Sequence, residues 1–223
     1  MKKKIVLLSV LLFFVSGCSI HKLSSTNFVD NIDFILSQDM DLANVNFEGY
    51  EYYVPKGMRF VNKDEYNALL QDRFANQYYL YIDAISYFHH TKNTYKVEKD
   101  AYYSKRLNYN KKTGYIEINK VDNQYFVEFV FNYGKIEAYV SKDHLVYAIN
   151  NMCYILQSIR YHDKVLESLI GNNVLNYKEE TFNIFESKSD DSSSLKYEDY
   201  EEADMNRNNS AIDGDNFEIN EVD

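Results

Sequence analysis

Four segments between residues 102 and 140 alternate aromatic or branched apolar residues with polar ones, and this pattern constrains the fold most. The segments are 102–109, 115–120, 124–132 and 135–140. A period of two predicts β-strands, because successive side chains of a strand point to opposite faces of a sheet. The connections between the segments are too short for a parallel crossover, so the sequence predicts an antiparallel meander.

Amphipathic helices are predicted on both sides of the strand-rich part. Residues 27–38 have apolar side chains at helical spacing, with Thr26 or Asn27 as the N-cap. After the meander, Ser141 is the predicted N-cap of a helix with a stripe formed by Leu145, Ile149, Met152, Leu156 and Ile159. Such a stripe must pack on an apolar surface, and the sheet offers one. The predicted fold is α+β, with a mostly antiparallel sheet (a meander) packed against an N-terminal and a C-terminal helix.

Before the meander, three further stretches have the composition of strands. These are 47–54, 58–61 and 78–88, and the segment Pro55-Lys56-Gly57 predicts a turn between the first two. Residues 66–71 are compatible with either a helix or a strand. A short helix is predicted at 163–170, ended by Gly171.

The first eighteen residues form a separate pattern. Three lysines at positions 2–4 precede an apolar run over 5–15, which only Ser9 interrupts. The run is too short for a membrane-spanning helix, which needs about 20 apolar residues, but it fits a secretory signal peptide. It ends in Val15-Ser16-Gly17-Cys18, an aliphatic residue and two small residues before a cysteine. This segment resembles the lipobox of bacterial lipoproteins.

The resemblance implies a diacylglycerol on the Cys18 thiol and cleavage between Gly17 and Cys18. The lipid would then anchor the protein to the extracytoplasmic face of the cell membrane, because two acyl chains hold a protein more firmly than one. An ordinary signal peptide with a chance cysteine and an uncleaved N-terminal membrane anchor are the alternatives.

Charge is unevenly distributed along the chain. The net charge of the whole sequence is −10, and residues 187–223 alone contribute −9. This acidic tail has too few apolar residues to offset the entropy of ordering, so we predict that it is disordered. The predicted organisation is a signal peptide at 1–17, a tether at 18–26, one α+β domain at 27–186 and the tail at 187–223. A general nucleic-acid binder is excluded, because phosphate contacts need clustered Lys and Arg.

The body of the chain resembles a second family. Residues 52–58, with their strand and Pro-Lys-Gly turn, and the meander that leads into a C-terminal helix are similar to PsbP/Mog1-type sandwiches. Some members of that family are secreted bacterial lipoproteins. The resemblance implies a fold of that class, and no functional residue is transferred from it.

The sequence contains no pattern typical of catalysis, metal binding or nucleotide binding. We therefore predict no catalytic residue, no metal site and no cofactor. His89 and His90 are adjacent at the end of a predicted strand, where neighbouring side chains rarely bind one ion. Cys153 lies in an apolar helical pattern and is predicted to be a buried, inert thiol. The acidic stretch 213–216 lacks the ligands of a calcium loop.

Tyrosine is abundant, with 22 of 223 residues. Exposed tyrosines form recognition surfaces, because the ring is amphipathic and has few rotatable bonds. Most of the tyrosines are also explained by their fit to β-sheets and by the composition of an AT-rich genome. The residues predicted to contact a partner are Tyr50, Tyr52, Tyr53, Tyr102 and Tyr103.

The resulting hypothesis is a membrane-anchored lipoprotein whose small, non-catalytic domain binds an envelope protein or a cell-wall glycan. One alternative is an envelope hydrolase or metal-dependent enzyme that uses His89, His90 and acids brought together by the fold. Another is a transporter-associated binding lipoprotein, which is disfavoured because such proteins usually need two lobes and a longer chain.

Overall fold

The computed structural model describes residues 22–171. The predicted signal peptide, Cys18, residues 172–186 of the predicted domain and the acidic tail lie outside these residues. The elements follow in the order α1 (Phe28–Ser37), β1 (Val45–Phe47), β2 (Tyr50–Tyr52), β3 (Arg59–Lys63), β4 (Asn67–Gln71), β5 (Gln77–Ile82), α2 (Ala84–Phe88), β6 (Tyr103–Tyr109), β7 (Lys112–Val121), β8 (Gln124–Phe131), β9 (Gly134–Ser141), a 3₁₀ turn (Lys142–His144), α3 (Leu145–Ser158), β10 (Arg160–Tyr161) and α4 (Asp163–Gly171).

Seven strands form one antiparallel sheet in the order β3-β4-β5-β9-β8-β7-β6. The predicted meander forms its β6-β7-β8-β9 part, and β3-β4-β5 is a second meander. The two join where β5 pairs with β9, with Leu80 opposite Ile136. A small sheet, β1-β2-β10, stands beside the large one. The α+β prediction, with a mostly antiparallel sheet and helices at both ends of the described residues, is confirmed.

Helices α1 and α3 cover one face of the large sheet. Asn27 caps α1, as predicted, because its side chain accepts hydrogen bonds from the amides of Val29 and Asp30. Helix α3 packs against α1 and against strands β8 and β9. Between residues 22 and 171, no helix is long and apolar enough to cross a membrane.

The turn between β6 and β7 ties the ends of both long helices together. Lys112 Nζ donates to the carbonyl oxygen of Gln157 at 2.7 Å, and Gln157 Nε2 donates to the carbonyl oxygen of Leu36 at 3.0 Å. Asn110 Nδ2 donates to the carbonyl oxygen of Ser37 at 3.0 Å. The last carbonyls of a helix have no partner within the helix, so these bonds supply partners to the ends of both helices.

The single strand predicted at 47–54 is wrong, because the chain reverses within it. Strands β1 and β2 pair as a hairpin, with Phe47 opposite Tyr50. Gly49 makes the reversal at a φ of +97°, and the side chain of Leu166 from α4 lies where a Cβ atom would be. Glycine adopts a positive φ without strain and has no Cβ atom to collide with Leu166.

The long strand predicted at 78–88 is also wrong in its second half. The strand ends at Ile82, and Asp83 caps a short helix by accepting a hydrogen bond from the Ser86 amide at 2.8 Å. Apolar residues continue on both sides of Asp83, so composition alone did not separate a buried strand from a buried helix.

Other boundaries differ in smaller ways. The ambiguous residues 66–71 contain strand β4, and the helix predicted at 163–170 is present as α4. Ser141 precedes the 3₁₀ turn without forming a side-chain cap, contrary to the prediction. The turn between the predicted segments 102–109 and 115–120 consists of Asn110 and Lys111, whose φ angles are 50° and 67°. Two positive φ angles in a two-residue loop match the twist of a hairpin.

Lys111 is exposed in this loop, and its positive φ disfavours a side chain with a Cβ atom. We expect Lys111→Gly to raise the free energy of unfolding by about 0.5–1 kcal/mol, because glycine adopts this conformation without the steric cost. Lys111→Ala is the matched control, since it removes the same charge and retains the cost. Urea denaturation of the purified variants measures the difference. Equal stability of the Gly and Ala variants would contradict this explanation.

Candidate functional site

Two of the tyrosines predicted to contact a partner are part of the core. The side chains of Tyr50 and Tyr52 are each 1% exposed. Both lie on the same face of β2, where their rings stack with Phe47 at centroid distances of 5.2 and 6.4 Å. The Tyr50 hydroxyl donates to the carbonyl oxygen of Glu65. In this position neither ring reaches a partner, and the prediction for these two residues is corrected.

The other three predicted tyrosines reach the surface to different degrees. Tyr53 is half-buried, and its amide donates to Ser158 Oγ at 2.8 Å. Tyr103 is half-buried, whereas Tyr102 is 53% exposed. The structure does not bring all three together, because Tyr53 follows β2 in the small sheet while Tyr102 and Tyr103 stand at the start of β6.

His89 and His90 stand at the C-terminal end of α2, not at the end of a strand. The His89 amide donates to the carbonyl oxygen of Ile85 at 3.0 Å, and His90 has a φ of 54°. The ring of His90 packs edge-on against Tyr87, whose hydroxyl donates to Asp163 at 2.7 Å. Within residues 22–171, no three side chains from His, Cys, Asp and Glu are grouped so that they could hold a metal ion.

Asp83 is the carboxyl group nearest to this corner in the sequence, and it has a structural role. It is 3% exposed, and burial raises its pKa to about 6, against the hydrogen bond from Ser86, which lowers it. A buried carboxyl group with a raised pKa is one mark of an active site. Here the same carboxylate caps α2, and this cap accounts for its position.

Cys153 is fully buried in α3, as the sequence predicted. Burial raises the pKa of its thiol well above the ordinary value, so the reactive thiolate is disfavoured. Its side chain fills the core and offers no nucleophile at the surface.

The structure brings together a group that sequence patterns did not reveal. Arg73, Phe74, His144 and Tyr147 meet where the β4–β5 turn approaches the start of α3, and we call them the Phe74 surface. The rings of Phe74 and His144 stack at 4.3 Å between centroids, and Tyr147 meets Phe74 edge-on at 5.2 Å. The guanidinium of Arg73 lies 4.8 Å from the Phe74 ring centroid and 4.9 Å from that of Tyr147.

Asp72 holds the turn that presents this surface. One carboxylate oxygen accepts hydrogen bonds from the amides of Phe74 at 2.8 Å and Asn76 at 3.0 Å. The other accepts from the Tyr78 hydroxyl at 2.6 Å and from the Asn76 side chain at 2.8 Å. Asp72 is 5% exposed while Phe74 is 43% exposed, so a buried anchor holds an exposed aromatic ring.

The arrangement is suited to recognition. Arginine and aromatic side chains supply much of the binding energy of protein interfaces, and rings already held in place lose little entropy on binding. His144 also has its Nδ1 atom 3.4 Å from Asn76 Nδ2, which fixes the ring further. The site was not predicted from the sequence, because its two parts are separated by about 70 residues. The local signal was an Arg-Phe pair in the turn between two strands.

No protein-family model matches the chain, and no curated protein matches it.

The raised pKa of Asp83 leads to a prediction about stability. The folded state holds a proton on this carboxyl group up to a pH of about 6, whereas in the unfolded chain it dissociates near 4. The contribution of Asp83 to the free energy of unfolding therefore falls as pH rises from about 4 to about 6. Asp83→Asn keeps a capping side chain without a charge. We expect the variant to gain on the order of 2 kcal/mol relative to the parent between pH 4 and pH 7.5.

Chemical denaturation at the two pH values measures this difference between variant and parent. Asp122→Asn is the control, because it makes the same replacement at a carboxyl group exposed in the β7–β8 turn, and the pH dependence of the Asp83 variant is measured against it. A variant of Asp83 whose relative stability does not depend on pH would contradict the assignment.

Proposed function

We propose that this chain is a bacterial lipoprotein, anchored at the extracytoplasmic face of the membrane, whose domain binds an envelope protein through the Phe74 surface. The preordered cluster of one arginine and three rings carries the binding part of the proposal. The location rests on Val15-Ser16-Gly17-Cys18 after a basic and apolar leader.

The composition of the Phe74 surface supports binding of a protein. Arg73 and Phe74 are exposed at the tip of a turn, where a partner can reach them. An arginine held over aromatic rings keeps its charge and its planar set of donors available to an acceptor on the partner. The rings provide apolar area beside it, which is the usual combination at the centre of an interface.

A protein partner is favoured over a cell-wall glycan because His144 and Arg73 already lie against the Phe74 ring. Sugars stack on the open faces of aromatic rings. The Phe74 ring is stacked on His144 and has the Arg73 guanidinium over it, so less of its face is open than in an isolated aromatic residue. A protein can instead contact the ring edge, the guanidinium and Tyr147 together.

The lipid anchor is tested by Cys18→Ser. The serine hydroxyl cannot form the thioether, and the lipoprotein peptidase acts only on the lipidated precursor, so we expect unprocessed precursor to accumulate. Immunoblotting of cell fractions and metabolic labelling with a fatty-acid analogue measure processing and lipid attachment. Cys153→Ser is the control and should mature normally. Normal processing and membrane retention of the Cys18 variant would overturn the anchor.

The partner surface is tested by crosslinking with mass spectrometry in the native cell. We expect Phe74→Ala to reduce recovery of the partner about tenfold, because truncation of a central interface residue costs roughly 1–2 kcal/mol. Val61→Ala is the matched control, since Val61 is 46% exposed, close to the 43% of Phe74, but lies on the edge strand β3. The binding proposal fails if both variants recover the same proteins equally, or if wall glycan is captured instead.

A further inference from the structure

The tether is shorter than the sequence suggests, because the chain is tied to the domain soon after Cys18. Leu23 packs against the hydrophobic core. The Ser24 amide donates to Asn31 Oδ1 at 2.8 Å, and Asn31 Nδ2 returns a bond of 2.8 Å to the Ser24 carbonyl oxygen. Only residues 19–22 separate this attachment from Cys18. Fully extended, the distance from Cys18 to Leu23 is at most about 18 Å.

If Cys18 carries a lipid, the start of α1 therefore lies close to that lipid. The contacts of α1 with β6 show which end of the large sheet lies beside the start of α1. Phe28 meets Tyr103 edge-on at 5.1 Å, so α1 begins beside the start of β6. Farther along, Asp33 pairs with Lys105 at 2.6 Å, and the helix ends beside Asn110. Helix α1 thus runs along β6, and its N-terminus stands at the end of the sheet where β6 begins.

Exposed apolar and aromatic side chains collect at this same end. Tyr102 is 53% exposed, and its ring packs edge-on against Tyr125 at 4.8 Å. Val121 is 37% exposed at the end of β7, where it pairs with Gln124 beside the β7–β8 turn. Tyr103 and Phe28, which are half-buried, lie at the same end of the sheet. We call Tyr102, Val121, Tyr103 and Phe28 the Tyr102 patch.

We propose that the Tyr102 patch rests in the headgroup layer of the membrane to which the chain is anchored. This inference depends on the proposed lipid at Cys18. Tyrosine is enriched at membrane interfaces because its ring is apolar and its hydroxyl stays hydrated. The short tether allows contact, and the patch faces the side on which the tether leaves the domain. The exposed charged residues near it in the sequence are of both signs, Lys22, Asp30, Lys120 and Asp122, so the contact relies on the rings and not on anionic lipid.

The opposite end of the domain provides an internal comparison. Leu42 follows the C-terminal end of α1 and is 52% exposed, nearly the same as Tyr102. Helix α1 has 10 residues and separates the two positions by about 15 Å along its axis alone. If the Tyr102 patch lies on the membrane, Leu42 stands in the water above it.

The absence of tryptophan from the sequence makes a fluorescence test direct. The mature, lipidated full chain is prepared with one reporter at a time, Tyr102→Trp, Val121→Trp or Leu42→Trp. Each variant is reconstituted into phosphatidylcholine vesicles with and without bromine atoms on the acyl chains near the headgroup. Circular dichroism confirms that each variant is folded, and flotation with the vesicles confirms that it is anchored.

We expect brominated lipid to reduce the fluorescence of the reporters at positions 102 and 121 about twofold or more, and to leave the reporter at position 42 nearly unchanged. Equal quenching at positions 102 and 42, or none at either, in a chain that floats with the vesicles would overturn the membrane contact while the anchor stands. A chain that carries no lipid and does not float would overturn the anchor and this inference together.

Discussion

The burial of α3 against the large sheet and against α1 is the interaction on which the rest of the structure depends. Ala148, Ile149, Met152, Cys153 and Leu156 of this helix are fully buried. Each large apolar side chain of this kind stabilises the fold by about 1.5–3 kcal/mol. Strand β9 approaches the helix closely at Gly134, where the side chains of Ile159 and Leu156 occupy the place of a Cβ atom. The position of α3 then sets that of α1, and so the point at which the tether leaves the domain.

Both surfaces identified here lie at the same end of the large sheet. The Phe74 surface follows from the β4–β5 turn and from α3, which begins just after β9 ends. The Tyr102 patch lies where β6 begins and β7 ends. Four strand spacings separate β5 from β6 in the sheet, or about 19 Å. If the patch rests on the membrane, a partner at the Phe74 surface is within reach of that membrane, which is consistent with an envelope protein embedded in it or bound to it.

Predictions that depended on residues close together in the sequence agree with the structure, whereas predictions that depended on contacts between distant residues do not. Alternation and short turns predicted the meander because both are local. The start of α1 was also recognisable from its neighbours, with Thr26 or Asn27 as the cap, and the structure assigns the cap to Asn27. The strand predicted through Asp83 failed because buried strands and buried helices share a composition, and a single capping bond decided between them. The surface role predicted for Tyr50 and Tyr52 failed because their burial depends on the hairpin and on the helices packed against it.

The sequence by itself determined the α+β class, the order of most elements, and the resemblance of the leader to a lipobox. Each of these depends on residues a few positions apart in the sequence, through periodicity, turn residues or a short motif. The tertiary structure alone decided which tyrosines are core and which are surface, and it brought Arg73 and Phe74 to His144 and Tyr147. Pairing of β5 with β9 sets these long-range contacts. That pairing depends on burying the whole apolar face at once, and no local segment of the chain encodes it.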